Sequence, residues 1–320
     1  MDDPFSRFVS AIGRGPGRSR DLSQEEARDA FGMVLRGEAD PVQVGAFLML
    51  LRYRGENAGT IAGLVEAARA NANLPLAGIG ADLDWPSYGA GRTRAAPWFL
   101  LAALALAKRG VAICMHGTNE FGGGLSVPEA LALLHIPVAA SGEDAARHLA
   151  ERRFAYLPLA AISPRLDDLL GMRRLFGLRS PVNTLVRLLD PAGAAASMDG
   201  VFHPPYIETH LGAAELLSRP SLLVIKGGGG EVERSPAKAV TAYRWQTGAG
   251  RSEFLFPPLL GRSELETAEL AAVWRGDAVA PVAEATVIAT IGLAWFALGR
   301  AATPEQADSA ARDIWAGRHC

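Results

Sequence analysis

Cysteine is scarce in this chain. Only Cys114 and Cys320 occur in 320 residues, too few and too differently placed for a disulfide framework or a thiolate zinc site. A reducing cytoplasm is the expected setting. Charge of one sign is also lacking, because 32 basic and 34 acidic residues leave a formal net charge of −2. Attraction to nucleic acid would therefore have to come from a local patch and not from the global field. No apolar run reaches the ~20 residues of a bilayer span. The longest, 95–107, starts near Pro97 and reads as a buried helix, and the segment MDDPFSRFVSAIGRGPG has no continuous apolar core, so it does not read as a secretory signal. Catalytic signatures are missing as well: there is no Walker loop, no G-x-G-x-x-G, no H-E-x-x-H, and no Ser-His-Asp or Cys-His arrangement.

What is present is a core-forming composition, 49% hydrophobic and 21% charged, which excludes disorder over most of the length. Residues 22–73 read as three helices. Ser23-Gln-Glu-Glu26 is a capping box, Asp40-Pro41 supplies a cap and a first-turn proline, and Gly55 is a stop. Val42, Val44, Phe47, Leu48 and Leu51 mark a broad apolar face, and Gly63 with its neighbouring alanines permits close helix approach. From Asp82 onward short apolar strands alternate with helices, which predicts an α/β fold with a mostly parallel central sheet. The expected division is a helical domain over 1–76, joined by helices from 164–190, and a larger α/β domain over 77–320. A hairpin pairs AVTAYRW with SEFLFPP, and helices follow to the C-terminus.

Ligands in such sheets sit beyond the carboxyl ends of strands. Three glycine-rich loops fall there: Ser87-YGAGR, Met115-HGTNEFGGG and Lys226-GGGGEVE. Glycine lets backbone N–H groups approach an anion, and a following helix N-terminus favours one. The candidate anion contacts are Gly89, Gly91, His116, Gly117, Thr118, Asn119, Gly122, Gly123 and Gly124. His116 reads either as a structural histidine at a tight turn or as an acid or base whose partner the sequence does not identify. Glu231 and Glu233 are either solvated at a loop rim or ligands for a hard cation such as magnesium. Arg165, Arg173, Arg174, Arg179 and Arg187 face only Asp167 and Asp168 within the same stretch. They form either a solvated helix face or a clamp for carboxylate or phosphate. Arg14, Arg18 and Arg20 make a second, weaker basic cluster.

In order, these features resemble the anthranilate phosphoribosyltransferase family, a glycosyltransferase group that also includes the pyrimidine nucleoside phosphorylases. The carriers are Leu22-SQEEARDAFGMVLRGEADPVQVGAFLMLLRYRG, the His116-Gly117 loop, Gly171-MRRLFGLRS and LLVIKGGGGEVE. The resemblance implies a homodimer joined through helical domains, phosphoribosyl diphosphate held in the glycine loops, Mg2+ at the third loop, and an aromatic or heterocyclic acceptor, anthranilate by default. It also places Arg173 against the acceptor's carboxylate, with about four extra residues after Arg179.

Against that pattern the loops have lost their polar side chains. The family's Gly-Thr-Gly-Gly-Asp and Asn-Ile-Ser-Thr positions fall on Ser87-Tyr-Gly-Ala-Gly and Pro97-Trp-Phe-Leu, while two lysines become Met115 and Gly124. Losing two cations, at ~1.5–3 kcal/mol per charged hydrogen bond, would weaken diphosphate binding by several kcal/mol. The combination looks closer to the divergent YbiB-like paralogues. That implies a fold without ordinary anthranilate chemistry and with non-specific nucleic-acid binding, here through local arginines. The alternative expectation is an active magnesium-dependent transferase, and a third is a scaffolding dimer.

Overall fold

The structure is a computed structural model and describes residues 3–15, 17–72, 80–89, 96–118, 124–261 and 268–319. Four helices come first: α1 (Ser6–Gly13), α2 (Gln24–Leu35), α3 (Pro41–Arg54) and α4 (Ala58–Ala70). The Ser23 hydroxyl accepts from the Glu26 N–H while the Glu26 carboxylate accepts from the Ser23 N–H. Asp40 and Gln43 form the same reciprocal cap on α3, ahead of Pro41. Gly63 explains how closely α2 and α4 pack, since a Cβ there would lie 2.1 Å from the Gln24 carbonyl oxygen. Helix α1 has no counterpart among the elements expected from sequence. It buries Phe8 and Ile12, and Phe5 just before it packs edge-on to Phe47 at 5.4 Å.

The α/β part begins with β1 (Leu83–Ser87), α5 (Trp98–Lys108), β2 (Ile113–Gly117), α6 (Val127–Leu133), α7 (Gly142–Arg152) and β3 (Phe154–Pro158). Short helices α8 (Leu159–Ile162), α9 (Pro164–Gly171), α10 (Arg173–Phe176) and α11 (Val182–Leu185) lead through a 3-10 turn (Val186–Leu188) to β4 (Ala196–Val201). Then come α12 (Pro205–Leu216), β5 (Ser221–Lys226), the hairpin β6 (Val240–Gln246) and β7 (Gly250–Phe256), and α13 (Leu270–Arg275), α14 (Pro281–Ala297) and α15 (Pro304–Ala316).

The seven strands run in the order β3-β2-β1-β4-β5-β6-β7. The first five in that order are parallel and the hairpin is antiparallel, as expected. Strand alternation divides the side chains between two cores. Cys114, Leu157 and Val224 point to one face, Met115, Tyr156 and Ile225 to the other. The first core runs without a break from the sheet into α1–α4, α9 and α11, so the helical part shares its core with one sheet face. The second core packs α5, α14 and α15 on the opposite face, with Trp98 to Ala107 buried throughout. Among the described residues no helix is long and apolar enough to cross a membrane.

Strand order reverses between β1 and β4. In open α/β sheets the crevice beyond the carboxyl ends at such a reversal is where ligands bind.

Candidate functional site

A cavity of about 160 Å3 opens at that reversal. The strand ends supply Tyr88, Gly200–Phe202 and Gly230; α12 supplies Tyr206 and His210; the helical part contributes Arg52 from α3 and Arg179, Ser180, Asn183 and Arg187 from the α10–α11 region. Three arginines line the cavity, and Arg173 lies near enough to act on Arg179. The Arg179 guanidinium is held below its ordinary pKa by burial first, then by the like charges of Arg173, Arg187 and Arg52. Arg179 lies over the Phe202 ring at 5.8 Å and Arg52 over Tyr206 at 5.9 Å, so cations alternate with aromatic faces. Arg52 also bonds the Tyr206 hydroxyl and sits 3.5 Å from the Glu56 carboxylate. Burial, with Glu56 next, pushes the Tyr206 hydroxyl up to about 12, and burial raises Glu56 as well.

The arginines named from the sequence separate by role. Arg179 lines the cavity and Arg173 acts on it from α10, whereas Arg165 on α9 and the exposed Arg174 lie outside the lining. The cavity wall therefore carries Arg179 where the sequence resemblance points to Arg173. Arg187 is a strut. Its Nη1 donates to the Gly230 carbonyl at 2.7 Å and its Nη2 to the Tyr88 carbonyl at 2.9 Å, which ties two of the three glycine loops together.

Those loops hold the protein's own carboxylates. Glu231 is 2% exposed, and a Cβ on Gly89 would lie 2.2 Å from its Oε1. A Cβ on Gly200 or Gly227 would meet the Glu231 backbone at 2.4 and 1.7 Å. These glycines make room for Glu231. Glu233 accepts from the Phe99 N–H at 3.1 Å and so caps α5, a helix that has no side-chain cap of its own. Of the two carboxylates named for magnesium, Glu231 is buried and Glu233 half-buried, and among the described residues no group of three ligating side chains comes together. A hard cation shared with a ligand's phosphates needs only one or two carboxylates, so Glu231 and Glu233 are the residues that would hold one.

His116 is fully buried. Its Nδ1 meets the Tyr88 hydroxyl at 2.8 Å and its Nε2 lies 3.2 Å from Asp84, so both ring nitrogens face partners that the sequence alone does not identify. A Cβ on Gly117 would lie 2.1 Å from the Ser87 carbonyl oxygen, which is close strand packing. Thr118 and Gly124 are half-buried at the loop's described ends, while Gly91, Asn119, Gly122 and Gly123 lie outside the described residues.

One pair is invisible in the sequence. His210 Nδ1 lies 2.6 Å from Asp199 Oδ2, and both residues are buried beside the cavity. They are far apart in pattern, one at a parallel strand's centre and one on a helix, so spacing carries no signal for them.

Residues 8–72 match the helical bundle domain of a glycosyl transferase family. Anthranilate phosphoribosyltransferase from Rhizobium rhizogenes (strain K84 / ATCC BAA-868) is 30% identical over 263 residues, covering 82% of this chain and 76% of that one. The chain belongs to the anthranilate phosphoribosyltransferase family. Another relative is the uncharacterized protein YbiB of Escherichia coli (strain K12), 31% identical over 207 residues. That match covers 63% of this chain and 64% of YbiB, slightly under two thirds of its length. The fold agrees with the family: the crystal structure of anthranilate phosphoribosyltransferase from Thermus thermophilus superposes with a TM-score of 0.79 at 24% identity, covering 99% of this chain and 95% of that one. The Saccharomyces cerevisiae enzyme, solved in complex with PRPP and Mg, gives 0.78 at 16% identity with the same coverage.

Proposed function

We propose that this chain is a non-standard member of the anthranilate phosphoribosyltransferase family. It binds single-stranded nucleic acid in the cleft between its helical part and the sheet, and it does not turn over phosphoribosyl diphosphate by the family's ordinary route. The observation that carries this reading is that Arg52, Arg179 and Arg187 line one cavity, with Arg173 near enough to add its charge to theirs. A cleft lined by one sign of charge focuses the field and draws anions to it. Phe202, 45% exposed, and Tyr206 beside those cations supply the ring faces that stack bases without sequence preference. Supporting the loss of ordinary turnover, the Glu231 carboxylate lies against Gly89, and Glu233 caps α5 at the positions that the resemblance aligns with the family's hydroxyl residues.

The setting is the cytoplasm and the working unit a homodimer. Val42, Tyr53 and Leu175, 80%, 90% and 82% exposed, form apolar surface on the helical part that a second copy would cover. Fluorescence anisotropy with a labelled single-stranded oligonucleotide tests the binding, and release of diphosphate from phosphoribosyl diphosphate tests the loss of turnover. Binding at low salt with no diphosphate release is expected. A second reading is favoured by the Arg179–Phe202 pair, which also suits an aryl carboxylate: an active transferase with Mg2+ and an aromatic acceptor. Magnesium-dependent diphosphate release in the presence of anthranilate would select it.

A further inference from the structure

His210 lines the same cavity, and Asp199 holds it from behind. Asp199 lies 2.6 Å from His210 Nδ1, so this nitrogen carries the proton and donates it to the carboxylate. Nε2, without that proton, is an acceptor, and His210 lines the cavity. On the neighbouring wall the Asn183 Oδ1 accepts from the Ser180 N–H at 3.0 Å, which leaves its Nδ2 as a donor. One fixed acceptor and one fixed donor therefore line a cavity of about 160 Å3. A space well below the roughly 300–1,000 Å3 of a drug-sized pocket takes one small ring. Aromatic Tyr206 and Phe202 share the lining, and the arginines stand beside it.

We propose that His210, fixed by Asp199, makes this cavity a base-reading pocket that takes one pyrimidine ring from a bound single strand. It rests on the reading of the cleft as a nucleic-acid site, and it adds what that reading lacks, a contact with a base edge. A pyrimidine offers an adjacent donor and acceptor on its pairing edge, N3–H with a carbonyl in thymine, N4–H with N3 in cytosine. His210 Nε2 takes the donor and Asn183 Nδ2 meets the acceptor. The phosphates remain with Arg52 and Arg179.

The test is anisotropy at fixed low salt with labelled 12-mers of dT, dC and dA and with a 12-unit abasic strand, for the wild type, His210→Phe and Asp199→Asn. The wild type binds dT or dC about tenfold more tightly than the abasic strand, and more tightly than dA. His210→Phe brings the pyrimidine strands to the abasic level while abasic binding stays within about twofold. Asp199→Asn preserves shape but its amide donates to Nδ1, which moves the ring proton to Nε2; pyrimidine binding then falls while abasic binding holds. That response separates a reading contact from a merely structural histidine. Equal affinity for base-bearing and abasic strands, a preference for dA, or equal weakening of every strand in the variants overturns the pocket and leaves the cleft reading standing. Failure of all strands to bind overturns both.

Discussion

Replacing Arg187 by methionine separates its role as a strut from a role as a phosphate contact. Arg187 is only 9% exposed, and its guanidinium gives one hydrogen bond each to the carbonyls of Gly230 and Tyr88. Methionine fills much of the same volume but donates nothing. Two charge-assisted bonds are lost, each of ~1.5–3 kcal/mol, and two carbonyls are left without this donor. Relief of the like-charge crowding on Arg179 and of the cost of burying a guanidinium offsets part of this. The net expectation is a loss of about 2–4 kcal/mol. At ~2 °C per kcal/mol for a chain of this size, the thermal midpoint should fall by about 4–8 °C. Arg187→Lys keeps the charge but cannot reach both carbonyls with a rigid fork, so it should recover only part of the loss. Calorimetry gives the midpoint, and a salt series of oligonucleotide binding gives the second readout. A strut leaves the salt slope unchanged. An unchanged midpoint together with a slope shallower by ~0.7 would show that Arg187 holds a phosphate and that the reasoning is wrong.

Three further substitutions probe the fold. Glu26→Ala removes a cap and an ion pair: the Arg20 guanidinium, with the Ser23 N–H next, holds the Glu26 carboxyl down to about 2. The side chain is a third exposed, so solvent screening limits the loss to about 1 kcal/mol, read by urea melts. Because the folded pKa is depressed, that contribution is fully present above the unfolded value near 4.5 and is lost as pH falls through about 2; a difference undiminished at pH 2 would contradict the assignment. Gly63→Ala puts a Cβ 2.1 Å from the Gln24 carbonyl and 2.9 Å from the Ala27 Cβ, so α2 and α4 must separate at a cost of about 2–4 kcal/mol, and a neutral outcome in denaturant melts would refute the close packing. Glu233→Ala uncaps α5 and should cost about 1 kcal/mol in the same assay, with no gain of diphosphate release.

The helices were legible where capping and periodicity agree. Ser23 with Glu26 and Asp40 with Pro41 set the starts of α2 and α3, and the strands stood out as short apolar runs bounded by glycine. Val42 departs from its expected buried face: it is 80% exposed although its neighbour Val44 is buried. Helix α1 is short, and its burial depends on Phe47, a partner far along the chain. The glycine loops could be located but not interpreted from sequence. A run such as Gly227–Gly230 allows close approach, yet only the fold reveals that what approaches is Glu231. Likewise, five arginines in a row of short helices look alike until tertiary structure buries Arg187, turns Arg179 to the cavity and leaves Arg174 in solvent. His210 and Asp199 meet only because β4 and α12 pack together.

The most direct measurement is the salt dependence of single-strand binding by the wild type and by an Arg52→Ala/Arg179→Ala variant. Each lost phosphate contact should reduce the slope of log K against log salt by ~0.7 on a single strand. The account predicts tight binding at low salt, a steep wild-type slope, and a variant slope shallower by about 1.4. A wild-type slope near zero, or one that the double substitution leaves unchanged, would contradict the claim that this arginine cleft is a nucleic-acid site.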